Sequence, residues 1–149
     1  MTPEGSRREA VSQIRRLVNS WAEAVRNKDS AGLVANFAPD VLVFDLINPL
    51  EYDGLDALRK RAGQWLSSFE GPIEYEVRNL EITAGDDVAF CHSLNRVGGT
   101  TVQQKKIDMW WRATVCFCKV NGTWTVAHEH SSVPFNMESM KASLDLQPE

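Results

Sequence analysis

The sequence lacks any run of apolar residues near the roughly 18 needed to cross a bilayer as a helix. It also lacks a basic block: the formal net charge is −4, with 16 Lys and Arg against 20 Asp and Glu. Nucleic-acid binding needs a basic face, so that class is excluded. The one basic cluster, Arg7, Arg8, Arg15 and Arg16, lies in a helical pattern and reads as a solvated helix face. Cysteine is scarce, at three residues, Cys91, Cys116 and Cys118. An odd number, two of them two apart on a strand pattern, does not make a disulfide framework. The polar start, Met1 to Ala10, has no apolar signal-peptide core, so reduced thiols and a cytoplasmic location are expected. Repeats, linkers and low-complexity tracts are missing as well.

What remains is an ordinary globular composition, 43% hydrophobic and 24% charged over 149 residues. That length suits one domain, 1–149, with a core of about 6–135 and a C-terminal tail 136–149. A chain of this size can bury a core without staples.

Helical signals come early and strand signals late. Val11, Ile14, Leu17, Val18, Trp21 and Val25 recur at three and four, predicting a helix over 6–27. Asp29 or Ser30 caps a short second helix through Phe37, and Pro39-Asp40 breaks it. Val41 to Phe44 reads as a strand, Asn48 to Gly54 as a turn-rich loop, and 54–68 as a third helix. Strands are expected over 73–83, 88–97, 106–120 and 123–133, with Gly98-Gly99 ending the second of these. Asn121-Gly122 is a strong hairpin turn. This order predicts an α+β domain, helices on one face of an antiparallel sheet.

Two segments carry a family resemblance. One is Phe37-Ala38-Pro39-Asp40-Val41-Leu42-Val43-Phe44-Asp45 followed by Gly54-Leu55-Asp56-Ala57-Leu58. The other is Asn121-Gly122-Thr123-Trp124-Thr125-Val126-Ala127-His128-Glu129-His130, continuing to Phe135. With the order of elements, they resemble the nuclear-transport-factor-2-like (NTF2-like) superfamily, and within it the SnoaL-like and ketosteroid-isomerase-like groups. The resemblance implies a cone-shaped, cystatin-like fold. In it a strongly curved antiparallel sheet and three N-terminal helices enclose one pocket. It implies no cofactor, a small hydrophobic ligand and a homodimer through the sheet. The superfamily spans isomerases, cyclases, dehydratases, epoxide hydrolases and binding modules, so activity has to be argued from the site.

Asp45 closes an apolar strand at the expected pocket mouth. The resemblance to ketosteroid isomerases makes it the candidate base for moving a proton beside a carbonyl. Partial desolvation would favour that role. The position matching those enzymes' helix tyrosine is Trp21, and their protonated strand aspartate falls near Val115 or Cys116, so the usual enolate donors are missing. His128 and His130 alternate with Glu129 and share a face of the last strand, and His92 lies on another strand. They are candidate acids, bases or hydrogen-bond donors. A His-x-His pair with a distant third histidine is a weak metal pattern, and no metal is expected.

The hairpin register decides what faces the pocket. A two-residue turn at Asn121-Gly122 sets Val115 opposite His128. Met109, Trp111, Ala113, Val115 and Phe117 then share an apolar face with Trp124, Val126, His128 and His130. Arg112 and Glu129 fall on the opposite face, as a possible pair. A three-residue bulged turn would shift the pairing by one and join Arg112 and Thr114 to the histidines. The first register segregates apolar residues more cleanly. Trp65 and Trp111 are expected pocket walls, and either Trp110 or Trp111 must face outward.

Three functions follow as expectations. The first is cofactor-free acid–base chemistry, isomerase- or cyclase-like, on a hydrophobic carbonyl compound. Asp45, His128 and His130 would be catalytic there, and Trp21, His92, Trp65, Trp111 and Arg112 would bind. The second is a ligand-binding or dimerisation module without turnover. The third is an epoxide hydrolase built on Arg112 and Asp108.

Overall fold

A computed structural model describes residues 2–149. Helix α1 spans Pro3–Arg26. The Thr2 side chain accepts a hydrogen bond from the Gly5 amide, and Pro3 opens the first turn, where its missing N–H costs nothing. α2 is Ser30–Val34, capped by Asp29, and α3 is Leu55–Ser67. The strands are β1 Phe37–Phe44, β2 Tyr52–Asp53, β3 Phe69–Ala84, β4 Val88–Thr101, β5 Lys106–Val120 and β6 Thr123–Ser132. They form one six-stranded sheet in the order β2-β1-β6-β5-β4-β3. All neighbours are antiparallel except β1 and β6, which run parallel. The expected α+β class, with N-terminal helices against a mostly antiparallel sheet, is the observed one.

The boundaries differ from expectation in three informative places. Phe37 begins β1 instead of ending α2, and Pro39-Asp40 lies within that strand. β2 pairs with β1 only at Leu42 and Val43, and the β1–β6 register shifts between Phe37 and Leu42. Pro39 thus falls at an irregular, poorly paired stretch, where a missing N–H is tolerated. The short β2 lies inside the segment read as loop. β4 runs through Gly98-Gly99 to Thr101 instead of stopping there. At Gly99 a Cβ would lie 3.0 Å from the Phe69 ring, so glycine serves close packing and does not end the strand.

Irregularities curl the sheet. β3 shifts register at Gly71-Pro72 and again near Asn79, which adopts φ 58°. β6 bulges at Ala127: Phe117 pairs with Val126, but Cys116 pairs with His128. The β1 partner slips at the same place. Bulges bend strands and raise twist, and here the bend occurs mid-sheet.

The concave face packs on the helices in two apolar clusters. One gathers Ile14, Val18, Phe37, Val41, Phe117 and Val126. The other gathers Val25, Leu66, Phe69, Ile73, Val97 and Trp111. Trp111 faces inward and Trp110 outward, with the Arg78 guanidinium 4.9 Å above its ring. The segment after β6 folds back: Phe135 bridges Ala142, and the Asn136 side chain accepts from the amides of Glu138 and Ser139. Among the described residues no helix is long and apolar enough to cross a membrane.

Phe117 is 1% exposed and stacks on Trp21. Phe117→Ala is expected to cost about 3–5 kcal/mol, the range for truncating a buried aromatic. Urea unfolding against the wild type checks this, with the outward Trp110→Ala as the milder control.

Candidate functional site

Alternation along β1 turns Val41, Val43 and Asp45 toward the interior, and Val41 and Val43 are buried. Asp45 therefore arrives at the wall of a cavity of about 510 Å3 between the sheet and the helices. That volume suits a drug-sized molecule. The lining is mostly apolar, with Trp65, Phe69, Trp111 and Met109 prominent, and the polar groups are few: Asp45, Arg61, Tyr75, Glu129 and Ser131 among them. Ala142 and Leu144 of the C-terminal segment complete the wall.

The Asp45 carboxylate is firmly held. One oxygen accepts the Leu46 amide at 2.7 Å, and the other accepts Arg61 Nε, from α3, at 3.2 Å. Both side chains of this ion pair are largely buried, where the pair is screened less than at the surface.

Glu129 is the second carboxyl of the cavity. It pairs with Val115 and Val43, both buried inward-facing positions, and so points inward. Desolvation within the cone raises its pKa from the ordinary 4.5 to about 7, and the nearby Asp45 charge adds to the shift. Burial disfavours the ionised form, and a like charge disfavours it further. The Cys91 thiol, one strand beyond Val115 on the same face, is pushed up to about 12 by burial and by Glu129. It is a thiol at neutral pH, not a nucleophile. Tyr75 on β3 is also raised above its usual range, first by desolvation and then by Glu129. Its hydroxyl accepts from Asn95 Nδ2 at 3.2 Å, and Ser93 Oγ donates to Asn95 Oδ1 at 2.7 Å.

The candidate residues read from the sequence separate into two groups. Asp45, Trp65 and Trp111 line the cavity. His128, His130, His92 and Arg112 do not. The register explains this. The turn is the two-residue one, Val120 pairing with Thr123, but the bulge at Ala127 sets Val115 opposite Glu129 instead of His128. The expected faces hold as far as Val126 and then exchange. His128 turns outward; its Nδ1 lies 2.6 Å from the Leu42 carbonyl oxygen, and its ring meets Phe44 edge-on at 4.7 Å. His130 is exposed and lines a shallow outer cleft beside Asp45. His92 is exposed on the outer face, in the row Glu81, His92, Thr114, His130. Arg112 is exposed and donates to Ser132 Oγ at 3.1 Å, so it makes no pair with Glu129. Trp21 is not a cavity donor: its ring packs between Phe37 and Phe117, and its Nε1 is buried without a partner. The Asp108–Arg112 arrangement is absent, because the exposed Asp108 binds Arg96 at 2.8 Å.

Sequence reasoning missed Glu129, Arg61, Tyr75 and Asn95. One residue of bulge moved Glu129 across the sheet, and nothing in the pattern around Ala127 announces it. An asparagine in mid-strand, where that residue is depleted, was a legible sign for Asn95. Among the described residues no cluster of three or more His, Cys, Asp or Glu side chains is placed to hold a metal ion.

Comparison with known proteins agrees with this architecture. A family model described as SnoaL-like domain matches residues 14–136. An NTF2-like protein of unknown function from Pseudomonas putida KT2440 is 38% identical, with 94% of this chain and 97% of that one covered and a TM-score of 0.85. A candidate scytalone dehydratase from Novosphingobium aromaticivorans DSM 12444 shares the fold at 16% identity, covering 94% of this chain and 95% of that one, TM-score 0.75. A candidate dehydratase of the NTF2-like family from Streptomyces avermitilis does so at 15% identity, covering 88% and 97%, TM-score 0.71. No curated protein matches the sequence. With a family model spanning most of its length and a relative 38% identical over nearly all of it, the chain belongs to the SnoaL-like family of the NTF2-like superfamily.

Proposed function

We propose that the protein is a cofactor-free acid–base enzyme acting on a neutral, largely hydrophobic carbonyl compound, with Glu129 as the group that takes and returns the proton. The observation that carries this reading is a carboxyl with a pKa of about 7 on the wall of an apolar cavity. A general base works best when its pKa lies near the working pH, and perturbed carboxyls cluster at functional sites. In the step proposed, the Glu129 carboxylate removes a proton from the carbon next to a carbonyl and becomes the neutral acid. The electron pair moves to the carbonyl oxygen, which accepts a hydrogen bond from the Tyr75 hydroxyl. Return of the proton to another carbon completes an isomerisation. Loss of a β-hydroxyl as water would complete a dehydration, the reaction named for two of the structural neighbours.

Asp45 has a supporting part in this scheme. Both of its oxygens already accept hydrogen bonds, so it supplies a fixed negative charge beside Glu129 instead of taking the substrate proton. The same observation favours a second reading. If Asp45 and His128 are structural, the cavity could bind a ligand without turning it over. Exchange of substrate protons separates the two.

Neutral cyclic ketones incubated in deuterium oxide and followed by NMR should exchange the protons beside the carbonyl. The rate should rise with pH through about 7 as Glu129 ionises. Glu129→Gln should lower exchange by about 100-fold or more, the span of a general base. Ketones that bind without exchanging would leave only the binding module. Full exchange in the variant would remove Glu129 from the reaction.

Asp45→Asn deletes the negative charge beside Glu129 and frees Arg61, and both changes favour the ionised carboxyl. Exchange should therefore persist, with its pH midpoint moved down. Loss of exchange at every pH would return the base role to Asp45.

The raised pKa also fixes a pH dependence of stability. The folded protein keeps a proton on Glu129 that the unfolded chain loses above 4.5, so stability falls as pH rises from there through about 7. The contribution is on the order of 3 kcal/mol. Denaturant titrations at pH 5 and pH 8 should show it in the wild type, and Glu129→Gln should flatten it.

A further inference from the structure

Among the described residues, Asn95 is one of two buried polar residues, with Ser131. It does not line the cavity, and it sits in the middle of β4 between Val77 and Trp111 on the neighbouring strands. Burying an amide there is costly unless it is fully engaged. Its two hydrogen bonds run in sequence: Ser93 Oγ donates to Oδ1, and Nδ2 donates to the Tyr75 hydroxyl. Tyr75 is fixed at its other end as well. Its carbonyl accepts Arg26 Nε at 3.2 Å and Nη2 at 3.1 Å, and its ring meets Trp111 edge-on at 5.8 Å.

We propose that Asn95, oriented by Ser93, is a positioning residue that makes the Tyr75 hydroxyl a one-way hydrogen-bond donor into the cavity. A phenol has one proton and can accept at its oxygen. With Asn95 donating to that oxygen, the remaining proton has only the cavity side to serve. In the arrangement seen, Ser93 Oγ donates to the amide oxygen, and the amide nitrogen is the end that faces Tyr75. The ring and backbone contacts leave hydroxyl rotation as the main freedom, and Asn95 removes it. A preset donor needs no reorganisation when charge develops on a ligand oxygen. The ligand atom selected is an uncharged acceptor that gains negative charge, a carbonyl or phenol oxygen. This inference rests on the functional reading above and adds the means by which its oxygen is recognised.

The probe is 2-naphthol, a planar neutral phenol whose ionised form mimics an enolate and absorbs at a distinct wavelength. The quantity read is the ratio of ionised to neutral naphthol bound at a fixed pH near 7. Tyr75→Phe should lower that ratio about tenfold, the worth of one hydrogen bond to a charged oxygen. Asn95→Leu, similar in size and apolar, should lower it threefold or more in the wild type and leave it unchanged when combined with Tyr75→Phe. Equal effects of Asn95→Leu with and without the tyrosine hydroxyl would overturn the inference, because Asn95 would then act by another route. So would no effect of Asn95→Leu where Tyr75→Phe has one, since the tyrosine proton would then need no partner. Should Asn95→Leu fail to fold, Ser93→Ala carries the same comparison, with a smaller shift in the same direction. Failure of 2-naphthol to bind, or no effect of Tyr75→Phe, would instead remove the functional reading beneath it.

Discussion

The packing that builds the cone desolvates the Glu129 carboxyl on the cavity wall, and the proposed function depends on that desolvation. An ionised carboxylate in such a place loses its hydration and faces the Asp45 charge, so the proton stays on until about pH 7. Arg61 does not relieve this, because its guanidinium is engaged by Asp45. One carboxyl is matched by a cation and the other is left without one.

That asymmetry has its origin in backbone geometry. Had β6 continued without interruption from the Asn121-Gly122 turn, His128 would have faced Val115 and Glu129 would have faced outward. The extra residue at Ala127 exchanges them. The bulge also bends the sheet where β6 meets β1, and the bend helps wrap the strands around the helices. The residue that curves the wall thus also selects the side chain on it. The bulged strand β6 is held by β5 on one side and by β1 on the other.

Much of this architecture was legible in the sequence. The periodicity of Ile14, Val18 and Val25, the Asn121-Gly122 turn and the alternation of Met109 through Phe117 all found their expected places, because each reports a local rule with a fixed period. The site was legible only where such rules reach. Asp45 followed from its place at the end of an apolar strand and from the resemblance to ketosteroid isomerases, and Trp65 and Trp111 from size and periodicity. Glu129 did not, since a bulge breaks the period without changing composition. Arg61 and Tyr75 became visible only when α3 and β3 were folded against β1 and β6. The histidines drew attention by residue type, yet His128 spends its ring on a backbone carbonyl and on Phe44.

The two apolar clusters divide the cone unequally. Phe117, Ile14 and Val126 lie away from the cavity, with almost no exposure. Trp111, Val97 and Phe69 lie around the cavity, together with Ala142 and Leu144 of the C-terminal segment. Substitutions at Trp111, Val97 or Phe69 reshape the cavity while Phe117, Ile14 and Val126, which do not line it, continue to hold helix to sheet. The wall of the cavity is thus separable from the packing that holds the fold: one can be recut while the other stays whole.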